Sequence, residues 1–157
     1  MKLQLIAIGK TDEAYLRQGM DIFLSRLKHY LPFEYEELPD VRNTKNMSET
    51  EQRTREGEQL LKKVKPGYEL FLLDNNGREF PSDGLATFIE NKMVTCQTGM
   101  IFAIGGPYGF SPEVYARANG KISLSKMTFS HQMVRLICLE QIYRAMTIIR
   151  GEPYHHQ

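Results

Sequence analysis

Residues 101–106 read IFAIGG, and residues 70–74 read LFLLD. Both are almost unbroken apolar runs of strand length, and each stops abruptly, one at a pair of glycines and the other at an aspartate. A strand with one wet face alternates apolar and polar residues, whereas a strand covered on both faces by helices does not. These two runs therefore predict the centre of a mostly parallel sheet inside an α/β fold. Working outward, KLQLIAIGK, FEYEELP and KISLSK supply further strands, and the segments between them have helical character. In residues 12–30, Tyr15, Leu16, Met20, Phe23, Leu24 and Leu27 recur at helical spacing, with Thr11 placed to cap. Ser48 and Glu51 have the spacing of a capping box and open a polar helix with Arg53, Arg55, Lys62 and Lys63. That helix is either a solvated face or a basic edge that touches phosphate. The NNG, GGPYG and GEP segments are expected to turn.

The 157 residues suit one domain, with no internal repeat or linker to mark a second. A formal net charge of +1 argues against holding nucleic acid by overall charge. Cys96 and Cys138 are too few for a disulfide framework or a C-x-x-C metal site, which fits a reducing, cytoplasmic location. The opening MKLQLIAIGK is too short an apolar run for a signal peptide and reads as the first strand. No stretch reaches the ~18 apolar residues of a membrane span, so a soluble protein is expected.

In parallel sheets, ligands collect beyond the carboxyl ends of the strands. Asp74, the 105–109 loop and the SKMTF segment stand there. GGPYG lacks both the G-x-G-x-x-G order and a G-K-[ST] lysine, which disfavours a nucleotide triphosphate. It remains either a tight turn or a loop against which a flat ligand lies. Likewise Met127 and Phe129 either plug the core or wall a pocket, and Ser130 stands where a cap would open the last helix.

On that helix Val134, Leu136, Cys138, Leu139, Ile142, Tyr143, Ala145, Met146 and Ile149 spread over roughly half the circumference. So wide an apolar surface suggests a helix shared between the core and a second subunit. Arg135 projects into the middle of this arc, where a charge needs a partner. Glu140 and Arg144 have the order and spacing of an intrahelical pair, either on the surface or at a site. The tail GEPYHHQ reads as a frayed end or as a functional one, and its two histidines do not by themselves make a metal site. His29 reads as structural, while His131 stays open.

Taken together, LDNNGREF, FAIGGPYGF, LSKMTFSHQMVRLICLEQIYRA and RGEPYH resemble the RlmH (YbeA-type) ribosomal RNA methyltransferases of the SPOUT superfamily, from first strand to tail. The resemblance implies a single SPOUT domain over residues 1–157 with a C-terminal trefoil knot, acting as a homodimer. It implies transfer of a methyl group from S-adenosyl-L-methionine to N3 of a pseudouridine in large-subunit (23S) ribosomal RNA, on the assembled ribosome. Leu73, Gly105, Leu124, Ser125, Lys126, Met127, Thr128 and Phe129 would then bind the cofactor. Tyr154 and His155 would shape the nucleoside pocket, with His155 a candidate base. Arg144, oriented by Glu140, would stabilise the developing anion or hold a phosphate. The competing expectation is a ribosome-associated RNA-binding factor of the same fold without turnover.

Overall fold

The structure is a computed structural model and describes residues 1–156. Its elements follow in the order β1 (Lys2–Ile8), α1 (Ala14–Leu27), β2 (Phe33–Leu38), a 3-10 turn (Thr44–Asn46), α2 (Glu49–Lys63), β3 (Tyr68–Glu79), α3 (Ser82–Thr95), β4 (Gly99–Ile104), α4 (Pro112–Arg117), β5 (Gly120–Ser123) and α5 (Met133–Ile149). One sheet runs β2-β1-β4-β3-β5, and every pairing in it is parallel.

The unbroken apolar run of β4 has the expected cause: all six of its residues are buried. Met100, Phe102 and Ile104 point into one core with Leu3, Leu5 and Ala7 of β1. Ile101 and Ala103 point the other way, with Ile6 and Ile8. The first face is covered by α1, α3 and α5, with α5 packed against both of the others. The opposite face is closed by Leu60 of α2 and Val114 of α4.

Three local expectations come out differently. NNG does not separate two elements: β3 continues through it, and Leu73 and Arg78 both register with Ile122, so that residues 74–77 bulge out of a single strand. A side chain at Gly77 would stand 2.6 Å from the Ile122 main chain, so the bulge requires glycine there. Thr11 does not cap α1, which begins with Glu13 at its N-cap and no side-chain cap bond. Its hydroxyl is buried instead, bonded to Glu37 and to the Arg135 guanidinium. Ser130 Oγ accepts from Met133 N at 3.0 Å, so it caps the turn leading into α5 rather than the helix itself. Ser48 does cap α2, accepting from Glu51 N at 3.1 Å.

Arg135 finds the partners its position demanded. Fully buried, it donates to the carbonyls of Ile8 at 2.9 Å, Gly9 at 2.8 Å and His131 at 3.0 Å, and it pairs with Glu37 at 3.4 Å. The last helix is thereby fastened to the carboxyl end of β1. This fixes the ground from which the site is built.

Candidate active site

Three segments meet at the carboxyl edge of the sheet: the bulge of β3, the loop after β4 and the turn after β5. Between them lies a crevice of about 530 Å³, within the usual size of small-molecule sites. Of the residues expected to hold a cofactor, Leu73, Gly105, Leu124, Ser125, Met127 and Phe129 line it. Lys126 and Thr128 do not. Both are exposed, and Thr128 Oγ1 accepts a long bond, 3.4 Å, from Asn75 Nδ2. The turn is fixed by its serines: Ser123 Oγ donates to the Ser125 carbonyl at 2.8 Å, and Ser125 Oγ accepts from Met127 N at 3.0 Å. Met127 is left 74% exposed, so it forms part of the lip and not of the core.

The crevice has a definite electrostatic character. Its lining contains neither lysine nor arginine, but it does contain Asp74. Asp74 accepts from Asn76 N at 2.8 Å and from the Tyr115 hydroxyl. Burial, and then the Asp74 carboxylate, pushes the Tyr115 phenol up to about 12, so it stays neutral and donates. A carboxylate in a lining without lysine or arginine suits a ligand with positive charge, as a sulfonium and an α-ammonium both have, although Lys121 stands 5.8 Å from the ring of Tyr115 beside it. Apolar walls from Leu73, Ile104, Phe110, Ile122 and Leu124 leave room for a flat ring. At Gly105 a side chain would stand 3.2 Å from the Phe110 ring, so glycine keeps main chain at this surface. The residues present therefore fit S-adenosylmethionine.

The residues expected to be catalytic form a second cluster. Arg144 bonds Glu140 through Nη2 at 2.6 Å and Nε at 3.0 Å, and its guanidinium lies 4.7 Å from the centre of the Tyr154 ring. The Tyr154 hydroxyl donates to Glu140 at 3.1 Å, and Arg144 Nη1 stands 3.1 Å from His155 Nδ1. Burial and the Glu140 charge raise the Tyr154 pKa. The tail is thus docked on α5, not frayed. Because arginine only donates, a neutral His155 in this pose accepts at Nδ1 and carries its proton on Nε2.

Within one chain the two clusters stay apart. None of Glu140, Arg144, Tyr154 or His155 lines the crevice. Arg144 stands ten residues along α5 from the crevice residue Val134, about 15 Å at helical rise. Among the residues that line the crevice, sequence reasoning missed Tyr115, which sits on a six-residue helix with no periodicity to expose it. His131, left open by the sequence, lines the crevice as well.

A parallel sheet with a glycine-walled crevice at its carboxyl edge is an α/β ligand-binding architecture, and the family model described as "Predicted SPOUT methyltransferase" matches residues 1–155. The chain belongs to the SPOUT methyltransferase family. It is 55% identical over 157 residues to a protein of Parabacteroides distasonis named "Ribosomal RNA large subunit methyltransferase H", with all of both chains covered. Proteins of the same name from Christiangramia forsetii and Cytophaga hutchinsonii are 52% and 54% identical, over all and 99% of this chain respectively and all of theirs.

Proposed function

We propose that the protein transfers a methyl group from S-adenosylmethionine to N3 of a pseudouridine in large-subunit ribosomal RNA, as a cytoplasmic homodimer acting on the assembled ribosome. The observation that supports this reading most is the convergence of Leu73, Gly105, Leu124, Ser125, Met127 and Phe129 on one crevice that carries an anion and no side-chain cation. In the family this crevice belongs to a trefoil-knotted carboxyl-terminal segment, and we extend that threading to this chain. The name of the relatives supports the RNA class.

S-adenosylmethionine, when bound, supplies a methyl already activated by its sulfonium. What remains for the chain is alignment and charge. Gly105 and the Ser125 turn hold main chain against the ligand, while Asp74 offsets positive charge. On the acceptor side, loss of the N3 proton leaves an imide anion, and the Arg144 guanidinium, held by Glu140, is the group that stabilises it. His155 would accept that proton at Nδ1 after Arg144 has turned from Nδ1 toward an imide oxygen, where the guanidinium stabilises the anion as it forms. Tyr154 stacks beside it and walls the nucleoside pocket.

The 15 Å gap within one chain is closed by a partner. Met133, Ile137, Glu140 and Arg144 share one face of α5 at 100° per residue. Met133 and Ile137 are half-buried and lie outside the core cluster, so this face is apolar as well as functional. Packing it against a second copy would bring one subunit's tail to the other's crevice. The test is transfer of labelled methyl to ribosomes lacking the modification, compared with free ribosomal RNA, and mapping of the labelled base. Label on N3 of one pseudouridine is expected. Calorimetry showing no S-adenosylmethionine binding would favour the RNA-binding factor instead.

A further inference from the structure

A second cavity, of about 320 Å³, shares Pro107 and His131 with the crevice and opens at the carboxyl ends of β1 and β2. Its inner wall is Glu56 of α2. This side chain is only 5% exposed, yet no protein group among the described residues donates to its Oε1. Oε2 receives one long bond, 3.3 Å, from Gln52 Nε2. Buried carboxylates are normally satisfied by donors or by a cation. Here burial raises the carboxyl above its ordinary value, the Gln52 amide opposes that, and the nearby Asp40 charge adds to it. Asp40 and Asp12 line the same cavity, so three carboxyl groups border it. Lys10 stands at the exposed side and, among the described residues, forms no ion pair with these carboxyl groups.

The position of Glu56 ties it to the site. A side chain at Gly106 would stand 2.6 Å from its Oε2, so the carboxylate lies directly against the loop that lines the crevice. Asp40 lies in the same way against Gly9, whose added side chain would stand 2.5 Å from Oδ1. The cavity therefore sets carboxyl groups beside main chain, with Lys10, Gln52 and Gln132 also on its wall, is large enough for one base, and adjoins the place where a methyl would be delivered. Among the described residues no group of His, Cys, Asp and Glu could hold a metal ion.

We infer that this second cavity receives an amino-bearing nucleobase flanking the methylated nucleotide, with the base's exocyclic N–H donated to Glu56 and Lys10 near the adjoining phosphate. Single-stranded RNA is read in this manner, by bases splayed out and bonded along their edges. A uracil edge can donate only its N3–H and sets two carbonyls against the carboxyl groups, so it binds more weakly. The inference rests on RNA being the substrate.

Two arms test it. In the first, the full-length ¹⁵N-labelled protein is titrated with adenosine, cytidine and uridine 5′-monophosphates while the amides of Gly9, Gln52 and Gly106 are followed. The amino-bearing nucleotides are expected to bind saturably and uridine monophosphate about tenfold more weakly. Glu56→Gln is expected to erase that preference while S-adenosylmethionine affinity, by calorimetry, changes less than about twofold. Equal binding of all three nucleotides overturns the inference, as does a Glu56→Gln variant that loses cofactor affinity in step with nucleotide affinity. Asp40→Asn, on the opposite wall, gives the same reading if Glu56→Gln does not fold. In the second arm Glu56→Gln is expected to raise KM for ribosomes about tenfold, with the larger effect on KM rather than kcat. Nucleotide binding with an unmoved ribosome KM would assign the cavity to a free nucleotide and overturn the RNA assignment. If the wild-type protein methylates no ribosome at all, the substrate reading fails on its own, and the nucleotide titration still decides the pocket's chemistry.

Discussion

Two arginines nine residues apart on α5 each pair with a glutamate, and their surroundings separate structure from chemistry. Arg135 is sealed: its side chain is 0% exposed, and its donors go to Glu37, Thr11 and the carbonyls of Ile8, Gly9 and His131. Nothing is left over for a ligand. Arg144 and Glu140 are 24% and 21% exposed, and besides the neighbouring Gln141 amide their partners include Tyr154 and His155 of a chain end. A buried arginine satisfied by main chain fixes a fold, whereas a partly exposed one held by a tail can exchange its partners during turnover.

The largest expected effect is on the sealed member. Arg135→Met keeps much of the volume but leaves Glu37 without its buried cation and the carbonyls of Ile8 and Gly9 without the guanidinium donor. Breaking such a buried pair from one side costs about 3–5 kcal/mol. Urea unfolding should show a loss of that size, and a loss below about 1 kcal/mol would erase the distinction drawn between the two arginines.

Arg144→Ala should behave in the opposite way. Stability should fall by only about 1 kcal/mol, since a partly exposed pair and one ring contact are lost. Methyl transfer to ribosomes should fall about 100-fold or more in kcat/KM if, as proposed, Arg144 faces the developing anion. Arg144→Lys should recover part of it, keeping the charge but not the planar fork. Ordinary turnover by Arg144→Ala would reduce the second cluster to a tail clasp.

The same contrast marks what could be read without coordinates. The doubly buried strand β4 was legible because its apolar run has one physical cause, and so was the need of Arg135 for partners. What those partners were was not: Glu37 lies 98 residues away and Thr11 lies 124 away, so a threonine in cap position was diverted by tertiary contacts. NNG could not announce a bulge, since the residues that make a turn also make a kink within a strand. The crevice residues came from family resemblance. Asp74, the glycine loop and the SKMTF segment also followed from the sheet rule, and Tyr115 from neither. Glu56 was hidden because α2 reads as a solvated polar helix, although Glu56, Gly57 and Leu60 form its buried stripe.

A smaller effect separates the clusters by pH. Burial alone would raise the Glu37 carboxyl, but hydrogen bonds from Thr11 and Tyr35 and the Arg135 charge hold it below its ordinary value of 4.5. Its contribution is therefore present at neutral pH and is lost as pH falls through the depressed folded value, because the unfolded chain takes up the proton first. Stability of the wild type and of Glu37→Gln should converge between about pH 5 and pH 3. A constant gap across that range would mean that the charge of Glu37 contributes nothing to the lock.

The smallest expected signal in the native state is none at all, and it reports on both clusters together. Cys138 lies on α5 between Arg135 and Glu140; it is 2% exposed, and burial pushes its thiol up to about 12. A thiol reagent at pH 8 needs a thiolate and access, and the folded protein offers neither. In a Cys96→Ser background, where the serine hydroxyl can still donate to the Gly99 carbonyl as the thiol does, labelling measures how often α5 leaves the sheet. Arg135→Met should speed labelling in proportion to its loss of stability, since α5 is freed at its attachment to β1. Arg144→Ala should leave the rate nearly unchanged, because undocking the tail uncovers the far end of the helix and not the face that carries Cys138. Equal acceleration by both would mean that α5 is held as one unit from tail to β1, and that lock and site are a single device.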